Sequence, residues 1–265
     1  MLTITSVQNP RVKDALRLRD RRHREKQARI LIDGARELER AIRGGVGLRE
    51  VFVCEPLCGG SDACRVLEQL PRCGAEVLQV TEAVFAKLTF GQRAEGVLGV
   101  ADMPQRALDQ LVLPDNPRVA VLEGVEKPGN VGAVLRSADG AGISAVIVAD
   151  GRTDLYNPNA IRASLGTIFT LPVCATTAVL ALDWLRGRGL AIRAAIVEGA
   201  IPYDEVDYRG PTAIVLGSEA HGLSQTWRAA EVSAVRLPMH GAADSLNISA
   251  AAAVLFYESL RQRRG

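Results

Sequence analysis

The residues able to do chemistry collect in three glycine-rich stretches of the second half of the chain. They are EKPGNVGAVLRSADGAG at 126–142, IVLGSEAHGLS at 214–224 and LPMHGAADSLNIS at 237–249. The first looks like a nucleotide loop, because it follows the apolar run RVAVLEGV and leads into a helical pattern. It is neither of the two familiar phosphate cradles. No Lys-Ser or Lys-Thr follows its glycines, and Gly129 and Gly132 stand three apart with Asn130 between them, which is not G-x-G-x-x-G. Each stretch lies at the end of a predicted strand. In open parallel sheets ligands bind beyond the carboxyl ends of the strands, so three such loops predict one pocket. Each side chain also has an ordinary reading. Arg136 suits a solvated helix face, Glu219 a helix entry favoured by the helix dipole, and Ser245 or Asn247 an N-cap. His221 has the titration range of a general base.

The elements that must position these loops alternate along the second half: VAVLEGV, GNVGAVLRSADGAG, AVIVAD, NPNAIRASLGTIFTLPV, AVLALDWLRGRG, AIRAAIV, TAIVLGSE, AVRLPM and SLNISAAAAVLFYESLRQRR. The strand runs are short, apolar and continuous, as expected of parallel strands covered on both faces. The first half alternates too. A basic helix precedes the strand–helix run ARILIDGARELERAIRGG, whose helix ends at Gly44-Gly45. LREVFVCE, AEVLQV and EGVLGVAD read as strands, CRVLEQLPRCG as a helix, and TEAVFAKLTF as a helix with Thr81 as N-cap. This gives a compact α/β domain over residues 1–103. A proline-rich connector spans 104–116, with Pro104 and Pro114, and a second α/β domain spans 117–265.

Nearly half the residues are apolar, 48%, which is enough for two cores, and no apolar run reaches the length of a membrane helix. The N-terminus lacks the apolar centre of a signal peptide, so a cytoplasmic protein with no membrane partner is expected. Of the five cysteines, Cys54, Cys58, Cys64 and Cys73 cluster, but none forms C-x-x-C and none has a nearby histidine, which argues for reduced thiols and no metal. The net charge of +2 is uninformative, but its distribution is not. Residues 11–29 hold nine Arg or Lys against Asp14, Asp20 and Glu25. Clustering of one sign is costly unless a polyanion offsets it, so Arg11, Lys13, Arg17, Arg21, Arg22 and Arg24 are candidate nucleic-acid contacts, with RNA or DNA.

Taken together, PGNVGAVLR, GSEAHGLS and LPMHGAADSLNISAAAAVLFYE resemble, in order, the three motifs of the SpoU/TrmH family of RNA ribose 2′-O-methyltransferases, in the SPOUT superfamily. The resemblance covers about residues 117–262. ITSVQNPRVKDALRL and ILIDGARELERAI are similar, more loosely, to the family's small α/β substrate-binding domain, which looks like certain ribosomal RNA-binding proteins. The resemblance implies an α/β fold whose C-terminal parallel-sheet domain is threaded as a trefoil knot, holds S-adenosylmethionine and pairs as a homodimer.

The resemblance also implies roles. Asn130 and Arg136 would face substrate, with Pro128 and Gly129 fixing the turn and Gly132 letting the helix start close to RNA. Arg136 matches the family's catalytic arginine. A guanidinium stays protonated, so it is better suited to a phosphate fork and a developing alkoxide than to a base role. Glu219 would orient Arg136 or the loops. Ser245 and Asn247 would face the methyl donor and the ribose. Leu216, Gly217, Leu237, Pro238, Met239 and Leu246 would complete the cofactor bed, His221 would play no essential part, and Lys127 would help hold phosphate. Glu123 and Lys127 stand where many relatives carry Asp. The implied function is methylation of a ribose 2′-hydroxyl in structured RNA, with ribosomal RNA favoured over transfer RNA. Two other classes compete. A noncatalytic RNA-binding or ribosome-assembly factor is disfavoured by the intact motif residues, and a nicotinamide-dependent oxidoreductase by the missing G-x-G-x-x-G.

Overall fold

The structure, a computed structural model, describes residues 2–90, 95–196 and 200–264. Its contacts divide into two units, Met1–Pro104 with Tyr156–Thr170, and Gln105–Leu155 with Leu171–Gly265.

In the N-terminal unit the strands are β1 (Leu2–Ile4), β2 (Arg29–Asp33), β3 (Leu48–Val53), β4 (Glu76–Val80) and β5 (Val97–Asp102). They form one sheet in the order β1-β4-β3-β5-β2, with β5 antiparallel to both its neighbours. Val12, Phe52, Leu78, Phe85 and Leu98 belong to its core. Two features differ from expectation. The strand β1 is not apparent in the sequence, since three residues leave almost no periodicity. The basic helix is two helices, α1 (Pro10–Arg17) and α2 (Arg21–Gln27), because Asp20 caps the second by accepting the Arg22 N–H at 2.8 Å. The helices α3 (Ala35–Arg43), α4 (Ser61–Gln69) and α5 (Glu82–Leu88) complete the unit. Thr81 sits at the N-cap position of α5, but its side chain makes no capping bond.

Residues 156–170, expected within the C-terminal domain as one helical run, pack in the N-terminal unit as two short helices, α7 (Pro158–Ala163) and α8 (Thr167–Thr170). Leu165 and Gly166 between them are left-handed, with φ of 53° and 81°. At Gly166 a Cβ would lie 2.9 Å from the Cα of Glu37, so only glycine lets this turn approach α3. Arg40 fastens the turn by donating to the Leu165 carbonyl at 2.7 Å.

The C-terminal unit contains β6 (Arg118–Glu123), α6 (Pro128–Ala141), β7 (Ala145–Ala149), β8 (Val173–Thr176), α9 (Ala178–Gly187), β9 (Ala191–Ala195), β10 (Ile201–Pro202), β11 (Thr212–Leu216), β12 (Val232–Arg236) and α10 (Ile248–Gln262). Val197, the end of the run predicted for β9, lies outside the described residues. The seven strands run in the order β10-β12-β9-β11-β6-β7-β8, every pair parallel. All residues of β6, β7 and β11 are buried, which is why they read as unbroken apolar runs. From β6 the chain steps outward through β7 to β8, then returns to the far side of β11. The strand order therefore reverses between β6 and β11, and the carboxyl ends of those strands frame a crevice. The connector packs into this unit, where Leu111 is buried.

The two helices that carry the first and third motifs, α6 and α10, pack on each other. Arg118 holds their far ends together. Its buried guanidinium donates to the Ala141 and Gly142 carbonyls at 2.6 and 3.0 Å and to Ser259 Oγ at 3.1 Å. Burial, with Arg263 and Arg264 near by, lowers its pKa, while the C-terminal carbonyls of α6 supply the compensating negative end of a helix dipole.

Candidate active site

The first loop leaves β6 at Glu123 and enters α6 through Pro128, whose missing N–H costs nothing at the first helical position. This places Asn130 in the first turn. The second loop leaves β11 at Leu216 and folds back on itself, with Ser218 and Gly222 exchanging backbone hydrogen bonds of 3.2 and 2.9 Å. Glycine at 217 is required by contact, since a Cβ there would lie 2.3 Å from the carbonyl carbon of Gly222. The turn therefore presents Glu219 outward. The third loop ends at Asn247, the N-cap of α10, whose Oδ1 accepts the Ser249 N–H at 2.9 Å.

These three loops meet on one carboxylate. Glu219 Oε1 accepts Nδ2 of Asn130 at 2.9 Å and Nδ2 of Asn247 at 2.5 Å, while Oε2 faces Lys127 Nζ at 3.2 Å. Asn247 Nδ2 also lies 3.4 Å from Asn130 Oδ1. Because the N-cap consumes the oxygen of Asn247, its amide nitrogen must face Glu219, and the network has one consistent arrangement of donors. Charge-assisted hydrogen bonds to a shared carboxylate are stronger than neutral ones and fix geometry.

Two cavities flank this network. A cleft of about 200 Å³ lies at the ends of β9, β11 and β12, and Leu216, Gly217, Leu237, Met239, Ser245 and Leu246 are among its walls. Pro238 and Asn247, expected in the cofactor bed, do not line it. A second pocket of about 330 Å³ is lined by Lys127, Asn130 and Ala220 among others. Ser218, Glu219 and Ile248 line both, so the Glu219 carboxylate stands on the partition between an apolar cleft and a charged pocket.

Not every predicted residue arrives here. Asn130 and Arg136 are six residues apart on α6, about 600° of helix, so they point about 120° away from each other. Arg136 is exposed, and among the described residues no hydrogen bond or ion pair joins it to Asn130, Glu219 or Asn247. Ser245 lines the cleft but takes no part in the network. His221 is exposed on the second loop, its N–H on Ser218 Oγ at 3.1 Å. Gly132, expected to let the helix start close to RNA, is buried within the unit.

The basic segment is largely occupied by its own fold. Arg11 bridges Glu50 and Glu76 at 3.1 and 2.5 Å, Arg17 pairs with Asp14 and Arg21 with Glu25. Arg24 corrects an expectation. It is 1% exposed and donates to the Leu18 carbonyl at 2.6 Å, so it closes the α1–α2 junction and cannot reach a polyanion. Lys13 and Arg22 are exposed.

One hydrogen-bonded pair behind the site escaped the sequence reading. Glu123, buried at the end of β6, accepts the Ser224 N–H and the Ser224 hydroxyl, each at 2.7 Å. It clamps the far end of the loop that carries Glu219. The signal was a carboxylate closing the apolar run Val119–Leu122.

Comparison with known proteins matches residues 117–257 to the SpoU rRNA Methylase family and residues 9–99 to the MRM3-like substrate binding domain. The chain is 28% identical to the Bacillus subtilis 23S rRNA (guanosine(2553)-2′-O)-methyltransferase RlmP, across 97% of this chain and 98% of that protein. A crystal structure of an RNA 2′-O ribose methyltransferase is 41% identical, with full coverage of both chains and a TM-score of 0.85. The SpoU methyltransferase AviRb from Streptomyces viridochromogenes, crystallised with the cofactor AdoMet, is 26% identical over 97% of this chain and 99% of that chain, with a TM-score of 0.87.

Proposed function

The chain belongs to the SpoU rRNA Methylase family, and we propose that it transfers a methyl group from S-adenosylmethionine to a ribose 2′-hydroxyl of ribosomal RNA. The observation that carries this reading is the partition at Glu219. An apolar cleft and a charged pocket share a wall, which is the arrangement needed to hold an adenine-bearing donor on one side and a sugar–phosphate on the other.

The residues fit the cofactor. Leu216, Leu237, Met239 and Leu246 would form the bed for adenine, and backbone groups of the second and third loops would read its edge. S-adenosylmethionine supplies the electrophilic methyl group. On the other side, Asn130 would hold the ribose and Lys127 the adjoining phosphate, with Glu219 fixing both side chains. Glu123 and Asn247 act through position, the first by clamping the second loop, the second by tying it to α10.

Arg136 is best accommodated by a homodimer. Its helix face shares the exposed surface of α6 and α10 with Val254 and Tyr257, and the Tyr257 hydroxyl lies against Gly140. A second copy pairing on these helices would bring its Arg136 to the first copy's pocket. There the guanidinium stays protonated, holds phosphate and stabilises the negative charge that grows on the 2′-oxygen. We read the C-terminal part of the chain as threaded into a trefoil knot, the N-terminal unit as the RNA-recognition domain, and the protein as cytoplasmic. Among the described residues no helix is long and apolar enough to cross a membrane.

The test is methylation of ribosomal RNA with labelled S-adenosylmethionine, followed by nuclease digestion and nucleoside analysis. Label in a ribose-methylated nucleoside is expected. Label confined to bases would reject the chemistry.

A further inference from the structure

Three charged residues are among those that line the apolar cleft, Glu219, Arg236 and Asp244. Glu219 is committed to Asn130, Asn247 and Lys127. Among the described residues the other two have no ion pair. Arg236, the last residue of β12, donates its Nε to the Ala200 carbonyl at 3.2 Å, and among the described residues its two terminal guanidinium nitrogens have no hydrogen-bond partner. Asp244 lies eight residues later in the third loop and is exposed, with no ion pair among the described residues. A basic and an acidic residue, both exposed, thus border one cavity of about 200 Å³ whose other lining residues are mostly apolar.

Adenine and ribose need no ionic partners. The amino-acid end of the cofactor does, because its α-carboxylate and α-ammonium sit on one carbon and must both leave bulk water. From this juxtaposition we infer that Arg236 and Asp244 are the zwitterion clamp of the cofactor cleft, Arg236 receiving the α-carboxylate and Asp244 the α-ammonium. The inference rests on the reading of this cleft as the S-adenosylmethionine site. A guanidinium binds a carboxylate through two parallel hydrogen bonds, and a carboxylate accepts one or two of the three N–H donors of an ammonium group, so the pair discriminates by charge and by geometry. The clamp would make the protein selective for cofactors with an intact amino acid over the adenine thioether alone.

Calorimetric binding to the whole protein tests this without any turnover. The ligands are S-adenosylhomocysteine, decarboxylated S-adenosylmethionine, which lacks only the carboxylate, and 5′-methylthioadenosine, which lacks the amino acid. Arg236→Ala should weaken S-adenosylhomocysteine about tenfold or more, in line with the loss of a hydrogen bond to a charged group, and leave the other two ligands unchanged. Asp244→Asn should weaken both amine-bearing ligands and spare methylthioadenosine. Retained methylthioadenosine binding shows that each variant is folded. Equal loss of all ligands, or no loss of S-adenosylhomocysteine, overturns the clamp. A wild type that binds methylthioadenosine as tightly as S-adenosylhomocysteine also overturns it, whereas a wild type that binds none of the three overturns the cofactor reading itself.

Discussion

In the N-terminal unit, arginines of the basic segment mostly end on partners that the unit itself provides. Arg11 spans two strands through Glu50 and Glu76, Arg19 donates to the Lys87, Leu88 and Thr89 carbonyls at the end of α5, and Arg24 is sealed beneath the α1–α2 junction. In the C-terminal unit, the polar side chains of three loops meet at Glu219 between two cavities, and Arg136, Arg236 and Asp244 have no ionic partner among the described residues. The number of charges therefore says less than their commitment. A charge already paired within its fold has little left for a ligand. A charge held at a cavity wall with its bonding capacity open is available for one.

The largest expected effect falls on the uncommitted arginine. Arg136→Ala should lower methyl transfer about 100- to 1,000-fold, the usual cost of removing one group that stabilises a developing oxyanion, with cofactor affinity unchanged. If two copies share each site, mixing Arg136→Ala chains with Glu219→Ala chains should restore activity that neither has alone. No restoration in a verified mixed dimer would place Arg136 and Glu219 in sites of the same chain and break the proposed pairing.

The next contrast sets Glu123 in the C-terminal unit against Arg24 in the N-terminal one, both buried and both committed. Glu123→Ala leaves the Ser224 N–H without its acceptor, which costs about 1–3 kcal/mol. Because the clamped loop also lines the cleft, cofactor binding should weaken along with stability, and Glu123→Gln, which keeps one acceptor oxygen, should recover part of both. Arg24→Ala should destabilise by a similar amount, about 1–3 kcal/mol, through the abandoned Leu18 carbonyl and lost packing. Its cofactor affinity should not change. Denaturant unfolding with paired binding measurements separates the two, and cofactor loss in Arg24→Ala would erase the distinction drawn between the units.

Much of this architecture was visible in the residues themselves. Strands covered on both faces must be apolar throughout, so VAVLEGV and TAIVLGSE announced β6 and β11, and the loops beyond them announced the pocket. Asn130, Glu219 and Asn247 were placed together from that rule and from the family's motifs. Strands of two or three residues, β1 and β10, carry too little pattern to be found. The burial of Arg24 was not legible either, because it depends on a carbonyl freed by the end of α1, a fact of tertiary structure. The distance of Arg136 from the network was readable, since six residues along a helix imply a different face, yet motif likeness drew the two together. Glu123 was noticed only as a departure from a family pattern, because nothing in sequence reveals that Ser224 would fold back to meet it.

The smallest effect sharpens the same comparison within the basic segment. Lys13 and Arg22 are exposed and have no ionic partner among the described residues, while Arg17 and Arg21 are exposed but paired at one helical turn with Asp14 and Glu25. Surface pairs of that kind hold their charges weakly, about 0.3–0.5 kcal/mol, so RNA phosphate would compete for them. Each of the four arginine or lysine side chains that touches phosphate should therefore lower the salt dependence of ribosomal RNA binding by about one unit of logarithmic slope when changed to alanine. Lys13→Ala and Arg22→Ala should give the full change. Arg17→Ala and Arg21→Ala should give less, because Asp14 and Glu25 already neutralise part of each arginine's charge and so reduce the counterion release that its phosphate contact brings. Binding titrations at several salt concentrations read the slope directly. Equal slopes for wild type, Lys13→Ala and Arg22→Ala would move the RNA surface away from α1 and α2 altogether, and leave the helices' positive charge to the fold.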